Sequence, residues 1–210
     1  MKQQCRSETT DVKWALKNIS TYAAWMLLKI VQAGEPVLRR PARQLTPAEI
    51  AGAEIQQLIE LMRETMREAP GVGLAAPQIG VPLSLAVIED VAESADQERA
   101  PVPFHVIANP RLTLGDERVE HFEGCLSVEG FQAVVERART VHVEALDHRG
   151  QPIAIDARGW YARILQHEID HLGGTLYIDR MRPRTLSTAR NMSRYWAGVP
   201  IAEVLESVSD

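Results

Sequence analysis

Gln166-His167-Glu168-Ile169-Asp170-His171-Leu172 is the stretch on which the reading of this chain turns. On an α-helix, residues four apart lie on one face, one turn above the other. His167 and His171 can therefore offer two imidazole nitrogens to a single metal ion, and Glu168 can reach a water on that ion and take its proton. The motif fixes only three residues, so a solvated helix face is the bland alternative. Around it, however, Ile164, Leu165, Ile169 and Leu172 give the helix an apolar character, with Trp160 one turn before. Two histidines and a carboxylate on such a helix need partners, because unpaired buried polar groups are costly.

Catalytic sites of this kind hold the metal with three protein ligands and leave one position for water. The extended protease motif H-E-x-x-H-x-x-G-x-x-H is followed here as far as Gly174, but Tyr177 stands where the third histidine belongs. A later carboxylate such as Asp179, or a cysteine from elsewhere, remains. The chain has 2 cysteines, too few for a disulfide framework. Cys5 lies in a polar amino-terminal stretch. Cys125, in Glu123-Gly124-Cys125-Leu126-Ser127-Val128, is either a small buried hydrophobe or the sharper choice, a thiolate ligand from a strand or turn.

Three segments together resemble the peptide deformylase family. They are Gly71-Val72-Gly73-Leu74-Ala75-Ala76-Pro77-Gln78, Glu123 to Ser127, and Gln166 to His171, in the family's order. The similarity runs over roughly Met26 to Thr185. The resemblance implies a hydrolase that removes the formyl group from the amino-terminal formylmethionine of new polypeptides, releasing formate. It implies one divalent metal ion on Cys125, His167 and His171, with Fe2+ first and Zn2+, Ni2+ or Co2+ as substitutes. It gives Glu168 the role of base and then acid, and it gives Gln78 and the backbone N–H of Leu126 the developing oxyanion. By position in the family, Val72, Trp160, Ile164 and His167 would line a methionine pocket, with Arg163 between them. Glu123 and Asp170 are candidate orienters of the histidines, with an ordinary surface or capping role as the equal alternative. Gly71 reads as a helix stop after Pro70, and the glycines would let a substrate backbone approach closely.

With 210 residues, 45% of them hydrophobic, and a net charge of −5, the chain can form one domain with a real core and carries no field for general nucleic-acid binding. No apolar run approaches ~20 residues, so no membrane span is expected. Residues 1–25 read as an amino-terminal extension, with a turn or two of helix at Val12 to Leu28, and translation starting at Met26 is an alternative. Residues 26–185 read as the metallohydrolase domain and 186–210 as a tail. The expected location is the bacterial cytoplasm, with an organellar matrix as the other option. Nascent formylmethionyl chains are the expected partners; the ribosome near its exit tunnel is another, although no basic helix offers a place for it.

Thr46-Pro47-Ala48-Glu49 is a helix start, and Ile55, Leu58, Ile59, Met62 and Met66 then recur at helical spacing up to Glu68. Leu83 to Glu89, Phe104 to Ala108, Val134-Val135 and Val141 to Ala145 read as strands. Asp147 to Gly150 reads as a hairpin connection to Ile153-Ala154-Ile155. Asp90 to Pro103 reads as a polar linker, and His142 and His148 as exposed. The expected fold is α+β, with small antiparallel sheets around a central helix that carries the metal motif.

Overall fold

Thr46 does start a helix: its side chain accepts from the Glu49 backbone N–H, and Glu49 returns the bond to the Thr46 N–H. This helix, α1 (Pro47–Ile50), stops at Ala51, and the chain restarts at Gly52 as α2 (Ala53–Glu68). The computed structural model describes residues 27–91 and 99–209. The expected helix near Val12, Cys5, the Met26 start and the middle of the Asp90–Pro103 linker lie outside those residues.

After Pro70 come β1 (Gly73–Ala75), β2 (Leu85–Asp90), β3 (Val102–Leu114), β4 (Arg118–Cys125), β5 (Val128–Ala138), β6 (Thr140–Leu146), β7 (Pro152–Arg158), α3 (Gly159–Leu172), β8 (Ser187–Thr188) and α4 (Ile201–Ser207). One antiparallel sheet has the order β1-β2-β3-β6-β7, and a smaller one has the order β4-β5-β8.

The large sheet is covered on both faces, and alternation along its strands shows how. Leu74, Leu85, Val87, Val106 and Ala108 pack with Ile55, Leu58, Ile59, Met62 and Met66 of α2. Their immediate neighbours Ala75, Ala86, Ile88 and Ile107 turn the other way and pack with Ala162, Ile164, Leu165 and Leu172 of α3. A strand apolar on both faces reads as a continuous hydrophobic run, which is why Leu83 to Ile88 carries no polar alternation. The methionine stripe of α2 is core: Met62 is 0% exposed.

α3 is therefore the central helix, and its start is held by packing rather than by a side-chain cap. Gln166 pins it to the end of β5. Its amide oxygen accepts from Ala138 N at 2.9 Å, and its amide nitrogen donates to the carbonyls of Ala138 and Ala162, both at 2.9 Å. The hairpin at Asp147–Gly150 joins β6 to β7 as expected. His148 is exposed, and His142 is half-buried against Asp156. β4 was not among the expected strands; Arg118, Glu120, His121 and Glu123 leave it little apolar signal. Beyond Thr185 the chain adds β8 to the edge of β5, and Val204 of α4 is fully buried.

Candidate active site

β4 ends at Cys125, where the pairing with β5 shifts register, so the thiol is delivered at a bend rather than within a regular ladder. α3 presents His167 and His171 one turn apart, their rings meeting edge to face with centroids 4.9 Å apart. One ligand atom from each of Cys125, His167 and His171 lies within 4.8 Å of the other two. Cys125 Sγ is 3.2 Å from His171 Nε2. His167 Nδ1 is engaged by Glu123 Oε2 at 3.2 Å, which leaves its Nε2 for the site. One sulfur and two ring nitrogens converging in this way fit a transition-metal ion of Zn2+ or Fe2+ type. Asp179, the alternative ligand, is elsewhere: it pairs with Arg39 and accepts from Leu176 N at 2.8 Å.

Glu168 lies beside these groups, buried, and its Oε2 has no hydrogen-bond partner. Burial raises its pKa from 4.5 to about 7; the His167 charge opposes the rise and Glu123 adds to it. A carboxyl poised there can accept and return a proton near neutral pH. Burial also acts on Glu123, but the hydrogen bonds from His167 and Arg137 outweigh it and hold that carboxyl at about 2. His171 is pushed well below the ordinary range, first by burial and then by the charges of His167, Arg137 and Arg39. For His167, burial is overcome by the bonds with Cys125 and Glu123, and its pKa is raised.

Gln78 sits on the short helical turn after β1 and is 1% exposed. Its Oε1 accepts from Ala75 N at 2.8 Å, which orients the amide so that Nε2 faces Cys125 Sγ at 3.5 Å and Ser127 Oγ at 3.4 Å. Leu126 follows directly on the cysteine. A cavity of about 970 Å³ opens over this group, lined in part by Val72, Gln78, Leu126, Trp160, Ile164 and Glu168. Arg163 and His167 line it too. The Arg163 guanidinium donates to Phe122 O at 2.8 Å and lies over the Trp160 ring.

One expectation changes. Asp170 does not orient a histidine. Its carboxylate is taken by Arg137 at 2.6 Å and by Arg180 at 2.7 Å, so it belongs to an ion-pair network behind the site. Gly71 and Gly73 line the cavity, and their bareness also serves the protein's own packing: a Cβ on Gly73 would lie 2.3 Å from Glu168 Oε1, and one on Gly71 would lie 2.9 Å from Leu126 Cδ1. Sequence reading also missed Arg137, whose side chain is 4% exposed and which grips Glu123 with two nitrogens at 2.9 and 3.0 Å. Its one sequence signal is an arginine at a strand end where Val135 and Arg137 alternate with the charged Glu136, in Val134-Val135-Glu136-Arg137-Ala138.

An HExxH helix on an α+β framework, with a cysteine converging on its two histidines as a group that could hold a metal, is the arrangement of a metallohydrolase. Residues 27–187 match the family described as Polypeptide deformylase. The chain is 51% identical over 173 residues to the chloroplastic peptide deformylase 1A of Solanum lycopersicum, covering 78% of this chain and 62% of that protein's length. It is 44% identical over 207 residues to the chloroplastic/mitochondrial peptide deformylase 1A of Arabidopsis thaliana, covering 89% and 75%. A Met-Ala-Ser-bound class I type b peptide deformylase from Acinetobacter baumannii superposes with a TM-score of 0.71 at 31% identity, covering 75% of this chain and all of that one. The chain belongs to the peptide deformylase family, metal-dependent hydrolases that take the formyl group from the amino terminus of new polypeptides. No helix among the described residues is long and apolar enough to cross a membrane.

Proposed function

We propose that this chain removes the formyl group from formylmethionyl peptides, with Cys125, His167 and His171 holding one Fe2+ ion and Glu168 moving the protons. The observation that carries the reading is the convergence of those three donors beside a buried, unpartnered Glu168 oxygen whose pKa is raised to about 7. When bound, the metal supplies a Lewis acid and water of lowered pKa. Glu168 accepts a proton at its free carboxylate oxygen and returns it to the departing amine. Gln78 Nε2 and the Leu126 N–H steady the oxygen of the formyl carbonyl as charge develops there; a single such donor is worth ~10²–10³ in rate. Glu123 keeps the His167 ring turned so that Nε2 faces the site.

The cavity supports the substrate reading. Val72, Trp160 and Ile164 give it an apolar wall for a methionine side chain, and β1 and β4 each end a sheet beside it, so an extended peptide has strand edges to run along. Zn2+, Ni2+ or Co2+ would fit the same donors. Action on nascent chains at the ribosome, in a bacterial cytoplasm or an organellar matrix, completes the proposal.

The test compares formate release from formyl-Met-Ala-Ser with cleavage of unformylated peptides, and sets two variants beside the parent. Glu168→Ala should keep its metal and lose turnover; Cys125→Ala should lose both. Cleavage of internal bonds without formate would point to an endopeptidase instead, and a metal-replete, active Cys125→Ala would break the assigned donor set.

A further inference from the structure

The Leu126–Ser127 peptide unit is held at both ends. Gln32 Nε2 donates to its carbonyl oxygen, Leu126 O, at 2.9 Å. Its N–H, on Ser127, donates to Cys125 Sγ at 3.4 Å. The other polar atom of the Gln32 amide, Oε1, accepts from Glu129 N at 3.1 Å, so one side chain clasps the whole turn after the cysteine. Gln32 is itself exposed, but its backbone is fixed by two neighbours: Val31 N donates to Gln78 O and Ala33 N to Ser127 O, both at 2.8 Å. The segment 31–33 therefore ties together the two pieces of chain that flank the sulfur.

Donation to a peptide oxygen draws density from the nitrogen and strengthens the N–H on the far side as a donor. It also fixes the plane, and with it the direction in which that N–H points. We infer that Gln32 is a positioning residue for the metal centre: through the Leu126–Ser127 peptide it aims and strengthens the N–H···S bond received by Cys125. Hydrogen bonds to a ligating sulfur withdraw charge from it and tune the metal it holds. Gln78 Nε2, at 3.5 Å, is the second donor to the same sulfur. Gln32 lies outside the three motifs, 94 residues before Leu126. The inference rests on the proposal that Cys125 is a ligand.

The experiment uses the full chain loaded with Co2+, whose sulfur-to-metal charge-transfer absorption reads the thiolate directly. Gln32→Met keeps the bulk and removes both bonds. Gln32→Glu keeps the acceptor for Glu129 N and removes only the donor to Leu126 O. In both variants the band should move to lower energy and Co2+ should bind about tenfold more weakly, the low end of the 10–100-fold seen when a ligand loses its supporting bond. The melting temperature should change little, because the side chain is exposed. A band that stays in place in both variants overturns the inference, whatever happens to stability. Absence of any sulfur-to-cobalt band in the parent protein would instead remove Cys125 as a ligand, and the inference would fall with the reading beneath it.

Discussion

Gly73 and Glu168 occupy one space: a Cβ on the glycine would sit 2.3 Å from Oε1, 2.6 Å from Cδ and 2.8 Å from Cγ of the glutamate. Three atoms of the side chain are involved, so a rotation of the carboxylate alone would not relieve the clash. Gly73→Ala should push Glu168 off its position while leaving the three metal donors untouched. General acid–base groups contribute ~10²–10⁴ in rate, and kcat should fall within that range. Metal content, measured on the same preparation, should match the parent. A variant that turns over normally would show that Glu168 does not act from the place where it lies.

Glu123 meets two partners at once, the His167 ring nitrogen at 3.2 Å and the buried Arg137 guanidinium at 2.9 and 3.0 Å. Glu123→Gln should loosen the His167 ring and weaken metal binding ~10–100-fold. It also leaves Arg137 with Asp170 as its remaining carboxylate partner. Removing one member of a buried pair costs ~3–5 kcal/mol, and the surviving Asp170 contact should hold the loss below that. Metal dissociation constants and denaturant midpoints check the two effects separately. Unchanged metal affinity would dismiss Glu123 as an orienter.

The legibility of this chain was uneven for physical reasons. α1 was plain because a capping box is a local signal, α2 and α3 because helical periodicity is one, and Cys125 could be weighed as a ligand because two cysteines leave few choices. β4 was hidden because a strand beside a site carries charged residues in place of an alternating apolar face. Gly73 was readable as room for a substrate backbone but not as room for Glu168, since nothing in a sequence says which side chain will fill the space above a glycine. Asp170 looked like an orienter because its position in the motif cannot reveal Arg137 and Arg180, which arrive from β5 and from the turn beyond α3.

Glu49 closes the capping box of α1, and its pKa is lowered from 4.5 to about 2, chiefly by the bond from Arg43 and next by the Thr46 backbone. A carboxyl whose pKa is lower in the folded state stabilises that state above the unfolded pKa, and the contribution is lost as pH falls through the folded one. Glu49→Gln should therefore destabilise the protein at pH 7 and lose that effect as the pH drops from about 4.5 to about 2. Exposure and screening keep the effect near the low end of capping energies, ~0.5–1 kcal/mol. Denaturation of both proteins across that pH range is the measurement; a difference that persists at the acid end would assign the cost to packing.

Gln166 opens the third motif but is not among the three converging side chains; two of its bonds join α3 to β5 at Ala138 and a third stays within α3 at Ala162, all at 2.9 Å. Both backbone groups of Ala138 depend on it, and Ala138 is 1% exposed. In Gln166→Leu the volume is nearly kept, but a buried N–H and a buried carbonyl lose that partner, at ~1–3 kcal/mol each. For a chain of this size each kcal/mol lowers the melting temperature by ~2–4 °C, so a fall of roughly 4–24 °C is expected. Because the next residue is His167, the helix should stay in register wherever the fold survives, and metal binding at low temperature should persist. Loss of metal without loss of stability would mean that Gln166 acts on the histidines themselves and not on the seat of the helix.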